Sequence, residues 1–142
     1  MIKIMSEQEF KDKVIPNELD SNTFYISVLD PIYKSNPLLL DSFNYKTWYF
    51  YDLLYDIDTY KSFTFEQAQE INDFIALHFG KKLVVHCGAG VSRSAAIAEH
   101  YHELLGGSYS SLLEANPHII PNGRVLQYLR SAAKEKIQTK YI

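Results

Sequence analysis

Residues 23–29, TFYISVL, are β-branched and aromatic and stop at Asp30-Pro31, the signature of a strand. Residues 32–44 are interrupted by Pro37 and read as loop mixed with a short helix. Residues 47–57, TWYFYDLLYDI, form a long apolar run, largely aromatic, that predicts a second buried strand. Thr64 and Gln67 then stand at capping-box spacing. Phe65, Ala68, Ile71, Ile75 and Phe79 follow at helical spacing, and Gly80 marks the stop. KLVVH (residues 82–86) predicts a short strand, and SAAIAEHYHELL (residues 94–105) a helix ending at Gly106-Gly107. Ser110 or Ser111 is expected to cap a brief helix that ends before Pro117. Pro121-Asn122-Gly123 opens the last helix, with Val125, Leu126, Leu129, Ala132 and Ala133 facing inward. Strand, helix, strand, helix in this order predicts an α/β fold with a central, mostly parallel sheet flanked by helices. In such sheets, sites form beyond the carboxyl ends of the strands.

A chain of 142 residues is the size of one compact domain, taken as residues 1–142, and buries a core without disulfide or metal. Many of the eleven Tyr, eight Phe and one Trp lie between Phe43 and Phe79, where they are expected in the core and the strands. A formal charge of −3 and no basic stripe argue against nucleic acid as a partner. The nearest basic segment, KEKIQTK (residues 134–140), reads as a solvated helix end. No apolar run suits a membrane span, and MIKIMSEQEF carries no apolar signal-peptide core. With one cysteine, no internal disulfide forms and a reducing, cytoplasmic setting is expected.

That cysteine lies in LVVHCGAGVSRSAAIA (residues 83–98), between the predicted strand and the predicted helix. Gly88 and Gly90 free the backbone there. The amides of Gly88, Ala89, Gly90, Val91 and Ser92 then converge into an anion nest, reinforced by the helix N-terminus. Arg93 sets its planar fork against two oxygens of a phosphate. The same field lowers the pKa of Cys87 from the free-thiol value near ~8.5, which makes it a nucleophile aimed at bound phosphorus. Ser94 can donate a hydrogen bond to that sulfur when it becomes the leaving group.

HCGAGVSRS resembles the signature loop of the cysteine-dependent protein tyrosine and dual-specificity phosphatases: His-Cys, five residues, Arg, then Ser or Thr. His86, Cys87, Gly88, Gly90, Arg93 and Ser94 match it position by position. The preceding helix and strand, the aspartates before them, and PNGRVLQYL (residues 121–129) resemble the compact dual-specificity group. YISVLD through LLYDID resembles its small bacterial or phage-type members. The likeness covers roughly Phe24 to Leu129. It implies hydrolysis of phosphate monoesters through a cysteinyl-phosphate intermediate, with no cofactor and no metal. The substrate it implies is a phosphorylated protein or peptide, phosphotyrosine first and phosphoserine or phosphothreonine besides. It also implies an acid loop about thirty residues before the cysteine. Asp56 and Asp58, 31 and 29 positions before Cys87, both fit; Asp52 is placed within the strand.

His86, next to Cys87 on extended backbone, is expected to point away from it and to fix the loop. Asn122 is read as a helix cap, or, by the resemblance, as a buttress of the signature loop. Arg124 and Arg130 read as surface charges. His100 and His102, two apart on a helix, face differently and make no zinc site. Two other functions are open to the same loop. One is a phosphopeptide-binding module without an acid. The other is sulfur or arsenate chemistry, disfavoured by the Arg-Ser ending and the absence of a second thiol.

Overall fold

The computed structural model describes residues 1–141, with side chains through residue 135. Its elements in chain order are β1 (Ile2–Ser6), α1 (Glu7–Lys13), β2 (Thr23–Leu29), β3 (Tyr45–Tyr49), α2 (Phe65–Leu77), β4 (Lys82–Cys87), α3 (Arg93–Leu104), α4 (Tyr109–Ala115) and α5 (Gly123–Tyr141). A 3-10 turn at Pro31–Tyr33 follows β2, within the predicted mixture of loop and short helix. The strands form one sheet in the order β1-β4-β2-β3, and all three pairings are parallel. The α/β expectation holds, with every pairing parallel rather than most.

Parallel sheets are covered on both faces, and β2, buried along its whole length, sits in the middle of this one. On one face Phe24, Ile26, Val28, Leu83 and Val85 pack with Ile71 and Phe74 of α2, Ala95 and Tyr101 of α3, and Val125 and Leu129 of α5. On the other, a smaller cluster joins Phe10 of α1 to Met5, Tyr25, Tyr45 and Val84. The predicted inward face of α5 is buried except at Ala133, which is half-buried. Most side chains of the basic stretch at 134–140 lie outside the described residues. Among the described residues no helix is long and apolar enough to cross a membrane.

The capping box of α2 is present in both directions, Thr64 with Gln67. Two segments depart from the sequence reading. β3 begins at Tyr45 and leaves the sheet after Tyr49, so residues 50–57 are loop rather than strand. The reason is pairing: β3 is an edge strand whose single partner, β2, runs out at Leu29 opposite Tyr49. Asp52 is therefore not a strand residue. The aromatics divide accordingly: Tyr45, Trp48, Phe50, Phe63 and Phe74 are core, whereas Phe43, Tyr55, Tyr60 and Phe79 are exposed. The second departure is the cap of α4. It is Ser108, whose Oγ accepts from Ser111 N, and not Ser110 or Ser111.

Candidate active site

The segment between β4 and α3 leaves the sheet at the carboxyl end of a central strand, beside the end of β2. Its carbonyls are tied to distant parts of the chain. Glu7 N donates to Gly88 O at 3.0 Å, Ile120 N to Val91 O at 2.8 Å and Asn122 N to Ser92 O at 3.1 Å. With those carbonyls drawn outward, amides are left for the inside of the curve. Gly90 takes φ +72°, the left-handed region that favours glycine. A Cβ there would meet the backbone of Met5 and Ser6 at 2.7–2.8 Å, so the end of β1 also fixes the width of the loop.

Cys87 is 2% exposed. Its Sγ lies 3.1 Å from Ser94 Oγ. Burial pushes the thiol pKa up. The hydrogen bond of the Ser94 hydroxyl, the amides of Ser94 and Gly90 and the charge of Arg93 outweigh that, and the pKa falls below its ordinary value. Ser92, the residue before α3, makes no capping bond to the helix with its side chain. It donates instead to Asp52 Oδ1 at 2.8 Å.

Arg93 opens α3, and its side chain is only 9% exposed. One guanidinium nitrogen, Nη1, is held at 2.7 Å by both Asp30 Oδ1 and Phe50 O. Nη2 lies over Gly88, where an added Cβ would sit 3.6 Å from it. Nε is buried and has no hydrogen-bond partner. A buried guanidinium N–H without a partner is costly and rare. The Nη1 corner is thus anchored, and the Nε–Nη2 edge is the one available to a bidentate oxyanion.

His86 is fully buried and stacks on Phe10 with ring centroids 4.2 Å apart. Its Nε2 lies 2.6 Å from Ser27 Oγ, which lies 2.7 Å from Tyr45 OH. Burial pushes its pKa down to about 4, so at neutral pH it is an uncharged strut. Ser27 and Tyr45 were not singled out in the sequence. Asn122 caps α5. Its Oδ1 accepts from Val125 N as a cap, and its Nδ2 donates to Asp52 Oδ1 and Leu53 O.

The three aspartates of the loop after β3 are differently engaged. Asp56 accepts from both the amide and the hydroxyl of Ser62 at 2.9 Å and forms ion pairs with Lys61 and Arg124. The Ser62 bonds come first among the causes that hold its carboxyl below the usual range. Asp58 occupies a left-handed turn, φ 51°, inside the Ile57–Tyr60 bridge. None of the partners given to Asp56 belongs to residues 86–94. Asp52, set aside in the sequence as a strand residue, is the one bonded to the loop, through Ser92, with Oδ2 outside those bonds. Arg124 is not a free surface charge: it donates to Phe63 O and stacks on Tyr128. Arg130 pairs with Glu99 and Glu103.

Two cavities flank Arg93. One, of about 360 Å³, is lined by Tyr51, Asp52, Leu53, Ile57 and Tyr60 together with Asp30 and Arg93. The rings of Tyr51 and Tyr60 meet edge to face there, 5.1 Å apart. The other, of about 180 Å³, runs past Glu7, Tyr33 and Gly88. A wider groove of about 440 Å³ between β3 and α2 shares no residue with the loop.

No family model matches the sequence, and neither does any curated protein. Solved structures do match. The human tyrosine phosphatase-like serine/threonine/tyrosine-interacting protein superposes with a TM-score of 0.55 at 23% identity, over 82% of this chain and 80% of its own. PTPMT1 in complex with PI(5)P gives 0.55 at 19% identity, over 100% and 95%. The fold is therefore that of the tyrosine- and dual-specificity-phosphatase-like proteins.

Proposed function

We propose that residues 1–142 act as one catalytic domain that hydrolyses phosphate monoesters, phosphotyrosine first, through a cysteinyl-phosphate. The observation that carries the reading is the state of Arg93. It is a buried guanidinium fixed at one corner, with an N–H left unpaired, beside a thiol whose pKa is depressed by the amides and hydroxyl around it.

In the proposed mechanism the ester phosphate sits on the amides of residues 88–93 and on the free edge of Arg93. The Cys87 thiolate attacks phosphorus; the S–P bond forms as the bond to the leaving oxygen breaks. A carboxylic acid gives that oxygen its proton. Water then attacks the cysteinyl-phosphate, gives its proton to the same carboxylate and frees inorganic phosphate. Ser94 donates to the departing sulfur. Arg93 and the loop amides hold the equatorial oxygens through both steps.

For the acid we favour Asp52 over Asp56 and Asp58. It is tied to the loop by Ser92, held by Asn122, lines the cavity next to Arg93 and keeps Oδ2 free. Asp56 is committed to Ser62 and to two cations. The detachment of Asp56 from the loop is the one observation that favours the second reading, a phosphopeptide-binding module. Asp52 supplies the missing carboxylate and supports the enzyme instead. The aromatic wall of Tyr51 and Tyr60 suits the ring of phosphotyrosine.

The test is hydrolysis of p-nitrophenyl phosphate between mildly acidic and neutral pH, with Cys87→Ser as the blank. Turnover lost in that variant is expected. Folded wild-type protein that releases no nitrophenol, yet binds a phosphotyrosine peptide, would replace the enzyme by the binding module.

A further inference from the structure

We propose that the mouth of the Cys87 cavity selects phosphotyrosine peptides with lysine or arginine beside the phosphorylated residue. The proposal rests on the phosphatase reading and adds the substrate class. It comes from a charge count around the pocket. The two cavities that meet at Arg93 are lined by three carboxylates, Glu7, Asp30 and Asp52, and Arg93 is the sole cation of either lining.

That cation is committed. Its side chain is nine-tenths buried, one nitrogen is held by Asp30 and Phe50 O, and the unpartnered Nε awaits an oxyanion. A bound phosphate dianion takes up what Arg93 offers. The charged groups that the two linings then leave to the rest of the substrate are carboxylates. Asp52, held through Oδ1 by Ser92 and Asn122, keeps Oδ2 for the leaving oxygen, so the carboxylates left to a flanking cation are the other two. The side chain of Asp30 is 39% exposed and lies on both cavities. That of Glu7 is 32% exposed and shares Lys11 at 3.1 Å. A lysine or arginine flanking the phosphotyrosine reaches this rim as the ring enters the wall of Tyr51, Ile57 and Tyr60. An acidic flank, or a ring bearing several phosphates, meets repulsion, because neither lining holds a second cation and Lys11 is already paired with Glu7.

The experiment uses two phosphotyrosine peptides alike except for Lys or Glu on both sides of the phosphoresidue. Each exposed ion pair contributes a factor of a few, so kcat/KM should favour the basic peptide by roughly tenfold at low salt. The preference should shrink at ~0.5 M salt, where screening reaches within a few ångström. Glu7→Gln and Asp30→Asn should each lower the ratio about threefold, whatever they do to the rate on p-nitrophenyl phosphate, because a common loss cancels in a ratio. Equal turnover of the two peptides, a preference for the acidic one, or matching turnover of an inositol polyphosphate would overturn the proposal while leaving the phosphatase reading intact. If no substrate is turned over, the phosphatase reading falls and the dissociation constants of the two peptides on Cys87→Ser protein decide. A tenfold difference favouring Lys supports the acidic rim; equal values, or no binding, overturn it.

Discussion

Gly90→Ala isolates the geometry on which the proposed chemistry depends. Two costs fall on this substitution. The first is conformational: φ +72° is a left-handed value that an L side chain adopts at about 1–2 kcal/mol. The second is steric. The new Cβ would lie 2.7 Å from the carbonyl carbon and oxygen of Met5 and 2.8 Å from Ser6 N, all of it backbone. Comfortable carbon contacts are about 3.5–4.0 Å, so the loop or the end of β1 must give by roughly 1 Å. A shift of that size carries the Gly90 amide away from the sulfur. Misplacement by ~1 Å, or loss of one anion-binding donor, costs about 100-fold or more in kcat. Gly80 and Gly106 are the controls. They have φ +90° and +89°, but nothing lies within 4 Å of an added Cβ. Their alanine variants should lose about 1 kcal/mol, or ~3 °C in Tm, and keep their kcat. Three readouts are compared: thermal melting, p-nitrophenyl phosphate turnover, and the pH midpoint of Cys87 alkylation by iodoacetamide. Gly90→Ala should melt lower than both controls, lose at least about 100-fold in kcat and shift the alkylation midpoint upward. If Gly90→Ala melted with Gly80→Ala and kept its turnover and its alkylation midpoint, the close approach of loop and strand would have no bearing on the thiolate.

The remaining expectations concern single groups. Ser94→Ala removes a hydrogen bond from the thiolate and should raise the alkylation midpoint by about one pH unit; an unmoved midpoint would exclude the hydroxyl as a stabiliser. Asp52→Asn should lower kcat on phenyl phosphate by ~100-fold and much less on p-nitrophenyl phosphate, whose leaving group needs little acid assistance. Asp56→Asn should lower Tm with kcat little changed, and the reverse pattern between these two variants would return the acid to Asp56. His86 and His100 are buried and neutral, with pKa values pushed down to about 4 by burial. The unfolded chain takes up their protons below pH ~6.5 and the folded chain only near 4, so stability falls as pH drops through that window. The loss is of order 3 kcal/mol per histidine. Urea titrations at neutral pH and near pH 4.5 check it, and a His100→Gln protein that loses as much as wild type would refute the assignment.

The parts of the fold written in local patterns were readable before any coordinates. β2, α2 with its capping box, and β4 follow from runs of apolar residues and from residues three apart. So does the loop, because Cys87, both glycines and Arg93 fall within seven residues. Distant pairing is what hid the rest. β1 is a five-residue strand and α1 a seven-residue helix, too short to show a period, though the box of Ser6 and Glu9 marks the start of α1. The end of β3 depends on where β2 stops, a fact about its partner. Asp52 is hidden for the same reason, because its turn lies within an apolar run. Its bond to Ser92 spans 40 positions and its bond to Asn122 spans 70. Ser27 and Tyr45, which support His86 from two other strands, carry no mark of that in their own neighbourhoods.

The outward ties of the loop carbonyls have a consequence for anyone shortening this protein. Gly88, Val91 and Ser92 are clasped by amides from residues 7, 120 and 122, on opposite flanks of the sequence. A fragment trimmed to the central stretch would retain all nine letters of HCGAGVSRS and none of the hands that hold them open. Grafting the motif onto another strand and helix would fail in the same way, because the curve around position 87 is held from residues far to either side of it.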